Sequence, residues 1–159
     1  GNSTLRHPDP ANRGVSQLFL GKGTEGVNFE TVSPDYSGLI VFGSGRAIVT
    51  TDLNRDEKPD LIVSMSDSDP AVFFNRFEAE NTKPIAITLG GGQKNPAGAR
   101  VTIEVPGFPK QTAEYYAGGG YYNQSSPTLF FGAPKDTKSA TAEIRWGDGT
   151  TSKKLVYFE

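Results

Sequence analysis

A stretch rich in acidic side chains, TTDLNRDEKPDLIV at residues 50–63, has the residue types and the spacing of a calcium loop. A hard cation such as Ca²⁺ takes about six to eight oxygen ligands, and a tight loop supplies them best from alternate positions plus a backbone carbonyl. Four oxygen-bearing side chains stand in this alternating register, and the lysine within it can offer its carbonyl. The predicted ligands are Asp52, Asn54, Asp56, Lys58 through its main chain, and Asp60.

The same residues have a second interpretation as a solvated turn, because Asp and Asn form turns by bonding their own backbone. Turn chemistry does not require this register, however, and clustered carboxylates repel one another unless a cation or water screens them. An EF-hand is excluded because it needs a bidentate Glu at the end of the loop and helices on both flanks. Val63 stands at that position and both flanks are typical of strands. We therefore expect a structural calcium site between two strands.

Two tyrosine pairs flank a run of glycines in AEYYAGGGYYNQSS at residues 113–126. The glycines permit a sharp turn between the pairs. Because neighbouring residues of a strand face opposite ways, each pair should place one ring inward and one outward. Exposed rings could stack on a sugar or anchor a protein partner, and the alternative is that they cover the core. The candidate ligand surface consists of Tyr115, Tyr116, Tyr121 and Tyr122.

Short runs rich in Val, Ile, Thr, Phe and Tyr must position these residues. These runs are separated by glycines and prolines, of which 19 and 11 are scattered along the chain, and this pattern is typical of strands joined by tight turns. No window has sustained helical periodicity, so the sequence predicts an all-β fold. The predicted strands are 16–20, 27–32, 38–42, 46–51, 60–65, 71–75, 85–89, 99–105, 111–117, 128–131, 140–146 and 152–158.

A polar stretch at 78–84 is the best candidate for a boundary between two halves of the chain. The predicted organisation is an extended arm at 1–14, a first segment at 15–83 and a second at 84–159. Gly1 stands where an initiator Met would, so we expect a processed chain or an excised fragment from which any export signal has been lost.

Composition excludes several classes of protein. The 159 residues contain no cysteine, which rules out disulfides, thiolate zinc sites and a cysteine nucleophile. Lys and Arg number 16 against 18 Asp and Glu, and no basic block occurs, so nucleic acid is not an expected partner. The apolar runs are far too short to span a bilayer.

The segment DLNRDEKPD, followed by the strand LIVSM, resembles the calcium loop of FG-GAP repeats, the blades of integrin-α-type β-propellers. The family's glycine at the sixth loop position is Glu57 here, which costs about 1 kcal/mol if the loop keeps a left-handed residue there. A propeller needs about four to eight blades of roughly 40 residues. Residues 15–80 supply at most about one and a half, so a closed propeller is not expected in this chain.

Three later segments resemble the signature of the ASPIC/UnbV domain in order and rough spacing. They are NPAGARVTIEV at 95–105, AEYYAGGGYYNQSSPTLFFG at 113–132 and ATAEIRWGDGT at 140–150. The resemblance implies an extracellular or periplasmic module tied to calcium-binding repeats. The expected architecture is an antiparallel β-sandwich-like domain with a partial, blade-like β-meander packed on it.

The leading functional hypothesis is a non-enzymatic, calcium-stabilised interaction or adhesion module that is secreted, periplasmic or on the cell surface and binds an extracellular protein or glycan. A carbohydrate-binding module that uses the tyrosines is the first alternative. A hydrolase with a carboxylate pair is the second, because the chain has 18 acidic residues, although the sequence singles out no pair of them.

Overall fold

The computed structural model describes residues 16–22, 28–43, 45–66, 68–90 and 94–158. Within these ranges the chain is all-β, with eleven strands in several antiparallel sheets, one helical turn and no closed barrel or propeller. This confirms the predicted fold class. In the same ranges, no helix has the length and apolar character needed to cross a membrane. The predicted arm at 1–14 lies outside the described residues.

The first half forms a hairpin and a separate three-stranded meander. Strands β1 and β2 pair with each other, whereas the meander has the order β3-β4-β5. The predicted strand at 38–42 is wrong, because the preceding helical turn ends at Gly38 in a left-handed conformation (φ 69°) and the chain then runs irregularly. The elements are β1 Leu18–Gly21, β2 Phe29–Val32, α1 Pro34–Ser37, β3 Gly45–Thr51, β4 Asp60–Met65 and β5 Ala71–Phe73.

The second half forms two antiparallel sheets. One has four strands in the order β11-β10-β7-β8, and the other pairs β6 with β9. The strands are β6 Thr82–Thr88, β7 Arg100–Glu104, β8 Gln111–Glu114, β9 Thr128–Pro134, β10 Ser139–Arg145 and β11 Thr151–Tyr157.

The hydrophobic core lies between these two sheets. Alternate residues of each strand face it, as in β9, where Leu129, Phe131 and Ala133 are buried and their neighbours are not. A polar contact also joins the sheets, because the Gln111 amide accepts the N–H of Gly132 (3.0 Å) and donates to its carbonyl (2.6 Å). The buried cluster is Ile85, Leu89, Ala99, Val101, Ile103, Val105, Tyr115, Leu129, Phe131, Ala133, Ala140 and Ile144.

The described residues of the first half contribute nothing to this core. Among the described residues before position 78, Val63 is the single buried hydrophobic side chain and Asp60 the single buried charged one. Both faces of the meander are apolar, since Ile48 and Val63 lie opposite each other on one face and Ile62 and Val72 on the other. Exposed apolar side chains of this half are Phe19, Leu20, Phe29, Tyr36, Ile40, Phe42, Ile48, Leu53, Val72, Phe74 and Phe77.

The two halves meet where residues 123–126 run along the outer edge of β3. The Thr50 N–H donates to Ser125 Oγ (3.1 Å), and the Thr50 carbonyl accepts the N–H of Ser126 (3.3 Å). Two residues earlier in β3, the Ile48 carbonyl accepts a hydrogen bond from the Asn123 side-chain amide (2.6 Å). These bonds satisfy backbone groups that β4 cannot reach, because β4 pairs with the opposite edge of β3.

Because the described core lies in the second half of the chain, truncation of two isoleucines should have different effects on stability. We expect Ile103→Ala, which removes a side chain that is 1% exposed, to lower the free energy of unfolding by about 2–5 kcal/mol. Ile48→Ala is the matched control at 49% exposure and should cost less than about 1 kcal/mol. Urea unfolding of both variants, monitored by Trp146 fluorescence, measures the difference. Equal losses would contradict the placement of the core.

Candidate functional sites: the acidic loop and the tyrosine end

The acidic loop, residues 52–60 between β3 and β4, is held by bonds from its own backbone to its own carboxylates. One oxygen of Asp52 accepts the N–H of Asp56 (3.1 Å), and the other accepts the N–H of Glu57 (3.0 Å). Asp56 in turn accepts the N–H of Lys58 (3.0 Å) and a bond from the Asn54 amide (3.0 Å). The alternating Asp and Asn residues therefore fold the loop around the Asp52 carboxylate.

Two residues of the loop adopt left-handed backbone conformations. Glu57, which occupies the position of the glycine in the FG-GAP pattern, has φ 64°, and Arg55 has φ 62°. A side chain in this region costs about 1 kcal/mol relative to glycine, so the loop keeps the expected shape at an energetic cost.

Asp60 anchors the loop to the meander. Its carboxylate is fully buried, with 0% exposure. One oxygen accepts the N–H of Leu53 at the start of the loop (2.9 Å), and the other accepts the N–H of Asn75 just after β5 (2.8 Å). Because a buried carboxylate is costly unless it is hydrogen-bonded, these two bonds are what permit Asp60 to lie here.

Lys58 places a positive charge beside the acidic loop. Its ammonium bonds to Glu78 and lies 3.9 Å from the Asp56 carboxylate. The hydrogen bond to Glu78 is the main reason why the pKa of Lys58 is raised. Within the described ranges, no three acidic or imidazole side chains form a group that could hold a metal ion. The predicted ligands thus share one loop, and their carboxylates bind backbone N–H groups.

The second candidate site is one end of the four-stranded sheet, which we call the tyrosine end. It comprises residues 94–100, 114–127 and 145–151, where β7 and β11 begin and β8 and β10 end. Ala97 and Gly147 approach so closely that a Cβ on Gly147 would lie 2.6 Å from the Ala97 carbonyl oxygen. The N–H of Gly98 also donates to the Tyr115 carbonyl (2.9 Å), so the three sequence segments singled out above converge in space.

Tyr115 is the inward member of the first tyrosine pair. It is 5% exposed, belongs to the core, and its hydroxyl accepts a bond from Gln124 Nε2 (3.0 Å). Tyr116, its neighbour, is 64% exposed. The alternation predicted for this pair is confirmed, and Tyr115 is accordingly not available to a ligand.

The second pair departs from the prediction, because Tyr121 and Tyr122 are both exposed, at 66% and 92%. They lie in a turn closed by a bridge between Gly120 and Asn123, and Tyr122 is left-handed (φ 47°), so strand alternation does not apply. Their rings contact each other edge to face, with centroids 4.6 Å apart. This arrangement presents two adjacent aromatic rings to solvent.

Trp146 begins the hairpin turn between β10 and β11. The N–H of Gly149 donates to the Trp146 carbonyl (2.9 Å), so the central turn residues are Gly147 and Asp148. Gly149 follows the turn in a left-handed conformation (φ 83°). The side-chain and backbone bonds from Thr150 lower the pKa of the Asp148 carboxyl.

Several polar residues of the tyrosine end were not among the sequence-predicted site residues. Arg100 donates to Glu114 (3.1 Å) across β7 and β8, and Lys94 lies over the Trp146 ring, 5.4 Å from its centroid. Arg145 is exposed and lies directly opposite Arg100 on the neighbouring strand. The pairing of Arg145 with Arg100 follows from the register between β10 and β7, which the local sequence does not specify.

The second half is thus a two-sheet β domain with an aromatic, charged surface at one end. Comparison with known families finds that residues 90–155 match the family model described as ASPIC and UnbV. Residues 90–155 are therefore similar to the family that the three sequence segments suggested. The match does not reach the acidic loop, and no FG-GAP repeat is shown. No curated protein and no solved structure matches the chain.

The close approach of Gly147 to Ala97 predicts that a methyl group added at residue 147 lowers the stability of the protein. A Cβ at residue 147 would lie 2.6 Å from a backbone oxygen, so Gly147→Ala must displace the turn. We expect a loss of about 1–3 kcal/mol in the free energy of unfolding. Gly90→Ala is the matched control, because a Cβ there meets nothing within 4 Å. Thermal melts of both variants test this, and equal melting temperatures would contradict the close approach.

Proposed function

We propose that this chain is a non-enzymatic, extracellular interaction module that binds a partner through the exposed rings of the tyrosine end. The observation that carries the proposal is the exposure of Tyr116, Tyr121 and Tyr122, at 64%, 66% and 92%, beside a buried framework. Large aromatic side chains are enriched in interface hot spots, since they bury much apolar area at a small entropic cost. The secreted, periplasmic or cell-surface location is part of the same proposal.

The framework beneath these rings supports a binding role. Tyr115 is buried directly before Tyr116, and Gln124, bonded to the Tyr115 hydroxyl, closely follows the second pair. The turn that carries the second pair is closed by the bridge from Gly120 to Asn123. A surface held in this way loses little conformational freedom on binding, which favours affinity.

We further propose that the acidic loop binds Ca²⁺ and that its resemblance to an FG-GAP loop reflects this role. The donor set favours a hard cation, and each carboxylate oxygen that accepts one N–H keeps a second lone pair. Asp52, Asn54, Asp56, Asp60 and the Lys58 carbonyl would hold the ion, which would add stability between β3 and β4. The carboxylates of the loop would move from backbone caps toward a shared cation.

A calcium titration of the chelator-treated protein tests this second proposal. We expect about 10 mM Ca²⁺ to raise the melting temperature by several degrees, because ligand binding to the native state stabilises it by mass action. Asp56→Ala should abolish the rise, whereas Asp136→Ala, in the exposed turn after β9, should preserve it. An unchanged melting temperature would mean that the loop is a metal-free turn.

The tyrosine surface is tested by capture of extracellular proteins on the immobilised chain, followed by quantitative mass spectrometry. We expect Tyr122→Ala to reduce retention of specific partners roughly tenfold or more, as for an interface hot spot. Tyr157→Ala is the matched control, since this tyrosine is 76% exposed at the opposite end of the sheet.

A glycan array with the same two variants examines the carbohydrate-binding alternative. Retention of a sugar that depends on Tyr122 but not on Tyr157 would favour that alternative. Equal behaviour of both variants in both assays would refute the tyrosine end as a binding surface.

A further inference from the structure

The charges of the tyrosine end do not balance. Residues 94–100, 114–127 and 145–151 contain three cations, Lys94, Arg100 and Arg145, against two carboxylates, Glu114 and Asp148. Lys94 lies 3.9 Å from Asp148, and Arg100 lies 3.1 Å from Glu114. Arg145 forms no ion pair within the described residues. One positive charge is therefore left over in a chain whose net charge is −2.

The unpaired positive charge of Arg145 lies opposite a second positive charge. Arg145 and Arg100 are direct cross-strand partners between β10 and β7, and like charges directly opposite each other destabilise a sheet. Glu114 pairs with Arg100 from the far side, across β7 and β8, so it leaves Arg145 without a counter-charge. Glu143, the nearest acid along β10, faces Thr102 and Lys153 across the strands.

We propose that Arg145, with Arg100 beside it, binds a carboxylate of an acidic peptide segment on a partner protein. This inference rests on the proposed binding role of the tyrosine end and names the chemistry of its partner. The guanidinium fork matches a carboxylate through two parallel hydrogen bonds, and such a ligand would relieve the repulsion between the arginines. Tyr116, exposed at the same end of the sheet, supplies apolar area for the rest of the segment.

The charge count favours an acidic peptide over a polyanionic glycan. Polyanions bind surfaces with many unpaired cations, whereas here two of the three cations already have carboxylate partners. A single remaining arginine suits one acidic side chain. Arg and Tyr are also among the residue types enriched in protein interfaces.

Titration of the ¹⁵N-labelled chain with a short oligoglutamate peptide tests the proposal by NMR. We expect chemical-shift changes at Arg100, Glu114 and Arg145, with an affinity about fivefold weaker for Arg145→Gln, as for loss of one exposed ion pair. Arg145→Lys should be intermediate because it keeps the charge and loses the fork. Lys135→Gln, in the turn after β9, is the matched control and should bind like the unaltered chain.

Each other outcome overturns the proposal. Equal affinity of Arg145→Gln and the unaltered chain, or shifts spread over the surface lysines, would show that oligoglutamate binds without this site. Equal binding of oligoglutamine would remove the role of charge. A sulfated oligosaccharide that shifts Arg145 while oligoglutamate does not would assign the site to a glycan.

Folding of the variants provides an independent readout. Because Arg145 is exposed and faces a like charge, Arg145→Gln should leave the melting temperature unchanged or raise it slightly. A clear loss of stability would show that Arg145 is a structural residue and would count against the proposal. If Tyr122→Ala reduces capture but Arg145→Gln does not affect peptide binding, this inference fails while the proposed function stands. If Tyr122→Ala leaves both protein capture and glycan retention unchanged, the proposed function itself fails.

Discussion

The tyrosine end depends on one residue, Tyr115, whose every polar group is used to join separate parts of the chain. Its N–H donates to the Ala99 carbonyl (2.9 Å), and its carbonyl accepts the N–H of Gly98 (2.9 Å), so the pairing of β7 with β8 continues past Glu114. The buried ring belongs to the core, and its hydroxyl receives Gln124 from the segment beyond the glycines. Because one residue joins core, sheet and loop, the loop that carries the exposed rings is held to the sandwich through Tyr115.

The two halves of the chain are stabilised by different forces. Burial of apolar side chains between two sheets stabilises the second half, whereas the first half has a single buried hydrophobic residue among those described. In the first half the organising contact is polar, since the Asp60 carboxylate holds both the start of the acidic loop and the segment after β5. Apolar residues on both faces are typical of a sheet that other protein surfaces cover on both sides.

The sequence predicted the strands well where period and turn chemistry agreed, as at β4, whose bounds match the prediction. The sequence left open whether Glu57 keeps the left-handed conformation of the glycine that it replaces in the FG-GAP pattern, and the structure shows that it does (φ 64°). The prediction was wrong for the pair Tyr121 and Tyr122, because strand alternation was applied to residues that lie in a turn closed by the bridge between Gly120 and Asn123. Arg145 was not recognised at all, because its meaning arises from a neighbour in the register of β7, and single-sequence patterns do not specify cross-strand partners.

Residues 123–126 cover the outer edge of β3, and this cover limits pairing of the meander with another chain. An uncovered strand edge offers free N–H and C=O groups on which another chain can form a strand, the first step of edge-to-edge aggregation. Thr50 and Ile48 direct their edge groups to Ser125, Ser126 and Asn123 instead. Since this loop is also the one that carries the exposed tyrosines, the segment that protects β3 from strand addition is the same one that we propose to bind a partner.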